Sequence, residues 1–130
     1  MKHSVVKNLR KIHSFEKHSF LDLGTKVLVA TGQGSGGRNT EIVDLEDPTF
    51  QCTVNQYPTS AYAATGGLVG NTALICGGDF WTGSYSIYQK SCYSLKEDGA
   101  WKLEASSDLN TARSGANTGS VIINNKLVIA

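Results

Sequence analysis

The sequence predicts an all-β chain assembled from short antiparallel strands in a repeated unit. Three observations lead there. Short apolar runs ending in glycine recur along the chain, turn residues separate them, and the landmarks between them return in the same order. A composition of 14 Gly against 2 Pro, with 40% apolar and 18% charged residues, suits an ordered domain with many tight connections.

The repeat rests on three runs: Lys26-Val-Leu-Val-Ala-Thr-Gly32, Thr72-Ala-Leu-Ile-Cys-Gly-Gly78 and Lys126-Leu-Val-Ile-Ala130, whose starts lie 46 and 54 residues apart. Around them, Glu41–Leu45 corresponds to Ser91–Leu95, Asp47–Phe50 to Asp98–Trp101, and Gly66–Asn71 to Ser120–Asn125. Each unit then reads as four strands. They fall near 26–31, 41–45, 50–54 and 64–69 in the first unit, and near 72–77, 90–95, 101–105 and 118–123 in the second. Residues 19–23 are expected as the last strand of a preceding unit.

The links support these strands. Gly70-Asn71 and Asn124-Asn125 are two-residue connections able to take positive φ, as a tight hairpin requires. Asp47-Pro48 and Asp98-Gly99 are turn dipeptides. No segment from residue 26 onward shows a sustained period near 3.6, so helices are expected to be rare there.

Four strands in roughly 50 residues, with glycine closing the first, is the pattern of a β-propeller blade. The expected fold is therefore all-β: a partial β-propeller of about two complete four-stranded blades plus flanking strands. The expected organisation is a basic head over 1–18, a last strand of a preceding blade over 19–25, blades over 26–71 and 72–125, and a first strand of a further blade over 126–130. A closed ring takes about 4–8 blades. The last run stops before its expected glycine, so the chain is expected to be a fragment of a longer propeller, needing further blades to close.

The second unit resembles a kelch repeat. Gly77-Gly78 after an apolar strand, then Tyr93, then Trp101, is similar to the kelch signature, and Arg113 stands where such repeats often carry an Arg. The resemblance implies glycines that allow close strand packing and aromatics that pack between blades. The first unit departs from it: Thr31 is read in place of the first Gly (Gly32 stands for the second), Val43 of the Tyr, Phe50 of the Trp and Thr59 of the Arg.

Charge excludes some partners. The formal net charge is +1, which steers the chain toward neither nucleic acid nor an anionic membrane. No run approaches the roughly 20 apolar residues of a membrane-spanning helix. The head differs from the body, with five Lys/Arg against two Asp/Glu in residues 1–25 and seven against nine in residues 26–130. It holds His3, His13 and His18, read as solvated side chains and not metal ligands. Its Val5, Val6, Leu9 and Ile12 leave a short helix, a disordered segment and misread strands all open.

Gly32-Gln-Gly-Ser-Gly-Gly37 fits G-x-G-x-x-G, but a dinucleotide site needs a helix opening at the last glycine. Here Arg38-Asn-Thr-Glu runs straight into Ile-Val-Asp-Leu, so a loop between strands is expected and no cofactor. Cys76 and Cys92 fall in adjacent strands. A cross-strand disulfide and two buried reduced thiols are both compatible with the sequence. Reduced thiols would suit the cytoplasm. A bridge would suit an extracellular site, with a signal peptide missing from this chain.

The segment Asp79-Phe-Trp-Thr-Gly-Ser-Tyr-Ser-Ile-Tyr88 places aromatics on a Gly/Ser loop, a composition favoured at contact surfaces. It shares a face with loop 32–40. The expected function is non-catalytic: a protein-interaction scaffold of the kind the kelch resemblance implies, with an unidentified protein partner. Gln33, Arg38, Asn39, Trp81, Tyr85 and Tyr88 are the candidate contact residues. Two alternatives stand beside the scaffold reading, the first implied by the same resemblance and the second allowed by the cysteines and loop aromatics. One is part of a galactose-oxidase-like copper enzyme, for which residues 26–130 offer no His. The other is an extracellular structural or carbohydrate-binding propeller.

Overall fold

The computed structural model describes residues 19–23, 26–32, 37–47, 49–50, 54–114 and 120–129. The expectations for the head over 1–18 and for Gln33 lie outside them. The described chain is all-β, with several small antiparallel sheets and no α-helix among the described residues.

The first sheet holds β1 (Ser19–Leu23), β2 (Lys26–Ala30) and β3 (Thr40–Asp44) in that order. The largest sheet is β4 (Thr65–Val69), β5 (Thr72–Cys76), β8 (Cys92–Leu95) and β9 (Trp101–Leu103). Between β5 and β8 the chain forms a separate hairpin, β6 (Asp79–Trp81) with β7 (Ser86–Tyr88). The last hairpin is β10 (Ser120–Ile123) with β11 (Lys126–Ile129). A 3-10 turn follows β9 at Ala105–Ser107.

β2 and β5 are the unbroken apolar runs of the sequence, and both lie between two partners. Leu28, Val29 and Ala30 of β2 are buried, as are Ala73, Ile75 and Cys76 of β5. A strand flanked on both sides and covered on both faces needs apolar residues at every step, which is why these runs do not alternate.

The strands group differently from the expected blades. The sequence repeat places 65–69 in the unit 26–71, 19–23 in a preceding blade, and 118–123 in the unit 72–125. In the structure each of these strands instead pairs with the apolar run that follows it: β1 with β2, β4 with β5, β10 with β11. The cause is the two-residue link. Gly70, Asn124 and Asn125 all have positive φ, near 60°, 50° and 58°, which is hairpin-turn geometry, and a hairpin turn joins neighbours within one sheet. The boundary between sheets therefore falls after β3 and after β9. The strand expected over 50–54 is not met at Phe50 or Val54, which lie outside any strand.

Two residue correspondences shift as well. β3 pairs Glu41 with Val29, and β8 pairs Tyr93 with Ile75, so Glu41 and not Val43 takes the place of Tyr93. A slip of two residues keeps every side chain on the same face and is invisible to an alternation pattern. Likewise Ala61, not Thr59, stands for Arg113. The amide of Gly32 donates to Ala61 O, and the amide of Gly78 donates to Arg113 O.

With that register the two units share a hydrogen-bond scheme. Thr31 N donates to Asn39 O as Gly77 N does to Ser91 O; Tyr57 N donates to Arg38 O as Leu109 N does to Lys90 O; Ala61 N donates to Gly37 O as Arg113 N does to Gln89 O. Gly77 and Gly78 have φ near 69° and 92°, and Thr31 and Gly32 near 63° and 140°. Thr31 thus holds the left-handed backbone that Gly77 adopts freely, at a cost of roughly 1–2 kcal/mol for a residue with a Cβ. The first glycine of the kelch-like pair is replaced without a change of local path.

Tyr57 joins the units. Its side chain is fully buried, its hydroxyl donates to Ile75 O at 3.3 Å, and its ring meets Tyr93 and Trp101 edge to face at 5.2 and 4.9 Å. Burial, with the nearby Tyr93 adding to it, raises the phenol pKa far above its ordinary value, so the group stays neutral. Trp101 Nε1 donates to Asn55 O at 3.0 Å, fastening β9 to the segment that leads into Tyr57.

Cys76 and Cys92 are directly opposite each other across β5 and β8 and are joined by a disulfide, with Cα atoms 4.1 Å apart. The flanking amide of Gly77 bonds Ser91 O, so the cysteines occupy a non-hydrogen-bonded site, where opposed Cα atoms come closest, about 4.5 Å.

This packing can be tested at the glycines and at the bridge. A Cβ on Gly78 would crowd Ala61, Tyr62 O and Ala64, whereas one on Gly83, also at positive φ, would meet nothing within 4 Å. Gly78→Ala is expected to destabilise by about 2–4 kcal/mol and Gly83→Ala by about 1, read as midpoints of urea unfolding. The chain has three cysteines. Alkylation of the unfolded, unreduced protein should therefore label one thiol, rising to three after reduction, and loss of the bridge should cost about 3 kcal/mol for a loop of this length.

Candidate binding site

The hairpin β6–β7 starts immediately after Gly78. Its base is locked by a reciprocal backbone pair: Tyr62 N donates to Asp79 O at 2.8 Å and Asp79 N to Tyr62 O at 2.9 Å. Gln89 N closes the other end on Gly78 O, and Gln89 Nε2 donates to Ser60 O at 2.7 Å. At the tip, Thr82 N donates to Tyr85 O, the Thr82 hydroxyl accepts from Tyr85 N, and Gly83 supplies φ near 96°. The segment expected as a loop over 78–89 is thus a hairpin pinned at base and tip. Its register pairs Asp79 with Tyr88, Phe80 with Ile87 and Trp81 with Ser86.

Period-2 alternation puts Asp79 and Trp81 on one face with Ser86 and Tyr88 opposite them. The hairpin has almost no core to bury against. Trp81, Tyr85 and Tyr88 are 61%, 62% and 59% exposed, and Phe80 and Ile87 are exposed too. A cleft of about 520 Å³ lies where the hairpin meets the first unit, lined by Gly32, Ser60 and Tyr62 on one side and Asp79, Phe80, Trp81 and Ser86 on the other. That is the size of an ordinary small-ligand or side-chain site. It depends on both units, since Tyr62 precedes β4 while Asp79 follows β5.

The expected contact residues divide. Trp81 lines the cleft, and Tyr85 and Tyr88 are exposed on the same hairpin. Arg38 is mainly structural: its Nε donates to Tyr57 O at 2.8 Å, holding the segment that ends in the buried ring. Asn39 is exposed and its carbonyl receives Thr31 N. Gly77, Tyr93 and Trp101 serve packing, while Arg113 contributes backbone groups to Gly77 and Gly78 and keeps its side chain exposed. Ser60, Tyr62 and Asp79 are site residues that the sequence does not single out. Tyr62 sits in an Ala-rich stretch with no motif, and only the pairing with Asp79 brings it to the hairpin.

Among the described residues, no group of three or more His, Cys, Asp or Glu side chains could hold a metal ion. No helix among them is long and apolar enough to cross a membrane. Elsewhere, the Ser94 hydroxyl donates to Glu104 at 2.7 Å; with Lys102 and Lys96 nearby it holds that carboxyl below the ordinary range, a network around β8 and β9 that includes no residue lining the cleft.

No protein-family model matches the chain, and no curated protein matches it. Its fold is similar to the solved structure titled "Structure of YjhT", with a TM-score of 0.71 and 16% sequence identity, over 87% of this chain and 37% of that one. The likeness is one of fold, and the chain spans little more than a third of that protein's length.

The two tryptophans make a direct test of which aromatics serve packing. Trp101→Ala should destabilise by about 2–4 kcal/mol, whereas Trp81→Ala should change stability by no more than about 0.5 kcal/mol. Urea unfolding followed by far-ultraviolet circular dichroism checks both.

Proposed function

We propose that the chain is part of a kelch-type β-propeller and serves as a protein-interaction scaffold whose contact surface is the β6–β7 hairpin. The observation that carries the functional half is the exposure of Phe80, Trp81, Tyr85, Ile87 and Tyr88 on one rigidly held hairpin. Soluble proteins scatter exposed apolar side chains; a cluster of this kind, beside a cleft, marks a contact site. Trp and Tyr are the residues that most often carry binding energy in such patches.

Several features support the propeller half. β4 lies against β1 of the sheet before it and against β10 and β11 of the sheet after it, so the first strands of successive sheets are neighbours, as in blades around an axis. Gly67 leaves room for Ile122 and Leu127, and the Ser120 hydroxyl donates to Gly66 O at 3.1 Å. Gly77-Gly78 end the buried strand, and Trp101 packs between units, as the kelch resemblance implies. The Cys76–Cys92 bridge is suited to an oxidising compartment. The likeness to a larger solved structure also fits a chain that continues into further blades.

The test is affinity capture by the intact protein, compared with a variant carrying Trp81→Ser, Tyr85→Ser and Tyr88→Ser. The expected outcome is a defined partner retained by the parent and lost by the variant, both unfolding at the same urea concentration. No retained partner, or equal retention by both, removes the scaffold reading.

A further inference from the structure

Within that reading, the chemistry of the cleft narrows what it takes. Asp79 is the only charged residue in the hairpin segment from Asp79 to Gln89, and the lining residues of the opposing wall, Gly32, Ser60 and Tyr62, are uncharged. Among the described residues the Asp79 carboxylate has no ion pair or hydrogen bond. It shares a hairpin face with Trp81, and its backbone is paired with that of Tyr62. One carboxylate without an ionic partner therefore belongs to a residue that lines the same cleft as two aromatic residues.

We propose that this cleft is a binding site for an organic cation, an ammonium or guanidinium group, with Asp79 as its counter-ion and Trp81 and Tyr62 as its aromatic walls. The proposal rests on the binding role of the hairpin and adds the class of ligand. Aromatic faces attract cations through the ring quadrupole, most strongly for Trp, and the attraction grows as the cation leaves water. A ligand with neither positive charge nor hydrogen-bond donors would have to cover the carboxylate while leaving it unpaired, which is costly. A cation adds to any hydrogen bond the Coulombic and ring attractions that a neutral donor lacks. An anion would be repelled. The cleft, at about 520 Å³, has room for an arginine or lysine side chain with its flanking backbone.

The experiment uses the purified intact protein and nuclear magnetic resonance titration of the Trp81 indole and the Asp79 and Tyr62 amides. The probes are Nα-acetyl-arginine methylamide, its neutral citrulline counterpart, and a Gly-Gly-Arg-Gly-Gly peptide. Saturable shifts with the arginine probe, absent or at least about tenfold weaker with citrulline and with Asp79→Asn, are expected. Tighter binding of the peptide than of the single residue would assign the cation to a partner chain; equal binding would assign it to a small molecule. Equal affinity for arginine and citrulline, no saturable shift, or full binding by Asp79→Asn would overturn the proposal. Asp79→Asn also separates the two readings. If it binds the arginine probe as the parent does and also captures the protein partner, while the variant lacking Trp81, Tyr85 and Tyr88 captures none, the scaffold role stands and the cation site fails.

Discussion

The central buried strand of each large sheet ends in two residues of positive φ, and the amide of the second is taken by a segment returning from beyond the far edge of the sheet. Gly32 N donates to Ala61 O in one unit and Gly78 N to Arg113 O in the other. This turn takes the chain out of the sheet plane and fixes the path of the return segment, so the next first strand begins in a set place. Ala61 shows how tight the junction is. Its carbonyl receives Gly32 of its own unit, while its Cβ sits 3.1 Å from where a Cβ on Gly78 would stand. Only a residue without a side chain allows the two units to approach this closely.

Everything else that distinguishes the molecule is hung on that junction. Tyr57 reaches the interior because Arg38 receives its amide and donates to its carbonyl, and its ring then meets Tyr93 and Trp101 from the following sheet. The β6–β7 hairpin leaves the sheet at Gly78 and is tied at once to Tyr62, one residue past Ala61. The same backbone turn thus sets both the aromatic packing between units and the geometry of the cleft. Thr31 keeps the turn despite its Cβ, since its buried position and the Asn39 carbonyl hold its backbone against roughly 1–2 kcal/mol of left-handed strain.

Most strand positions were legible because strands announce themselves twice, in apolar runs and in the turns that bound them. The hairpin links Gly70-Asn71 and Asn124-Asn125 were readable for the same reason. Sheet membership was less legible. Choosing the glycine-ended run as the first strand placed the repeat boundary inside a hairpin, although a two-residue link can only join sheet neighbours. The displaced correspondences of Val43 and Thr59 have a different origin, since two-residue slips preserve the alternation of faces and only the hydrogen-bond partners reveal them. The disulfide depended on register in the same way, and the sequence left it open. Of the site, the aromatics were visible in composition, but Tyr62 and Ser60 were not. They reach Asp79 through chain path and carry no local signal.

The two tryptophans show that exposure, more than residue type, separates the aromatics that hold this fold together from those that do not. Trp101 spends its indole N–H on Asn55 O and its ring on Tyr57, so its surface is already used in holding two units together. Trp81 stands on a hairpin whose stability comes from backbone bonds at its base and tip, and most of its surface stays in water. The fold does not need that ring where it is. A hairpin held by its backbone can carry exposed aromatics without losing its shape, so any contact made through them would start from an ordered face and cost less entropy. Because the cleft walls come from two different units, any ligand that bound between Tyr62 and Trp81 would also favour the junction that forms the cleft, linking binding to inter-unit packing.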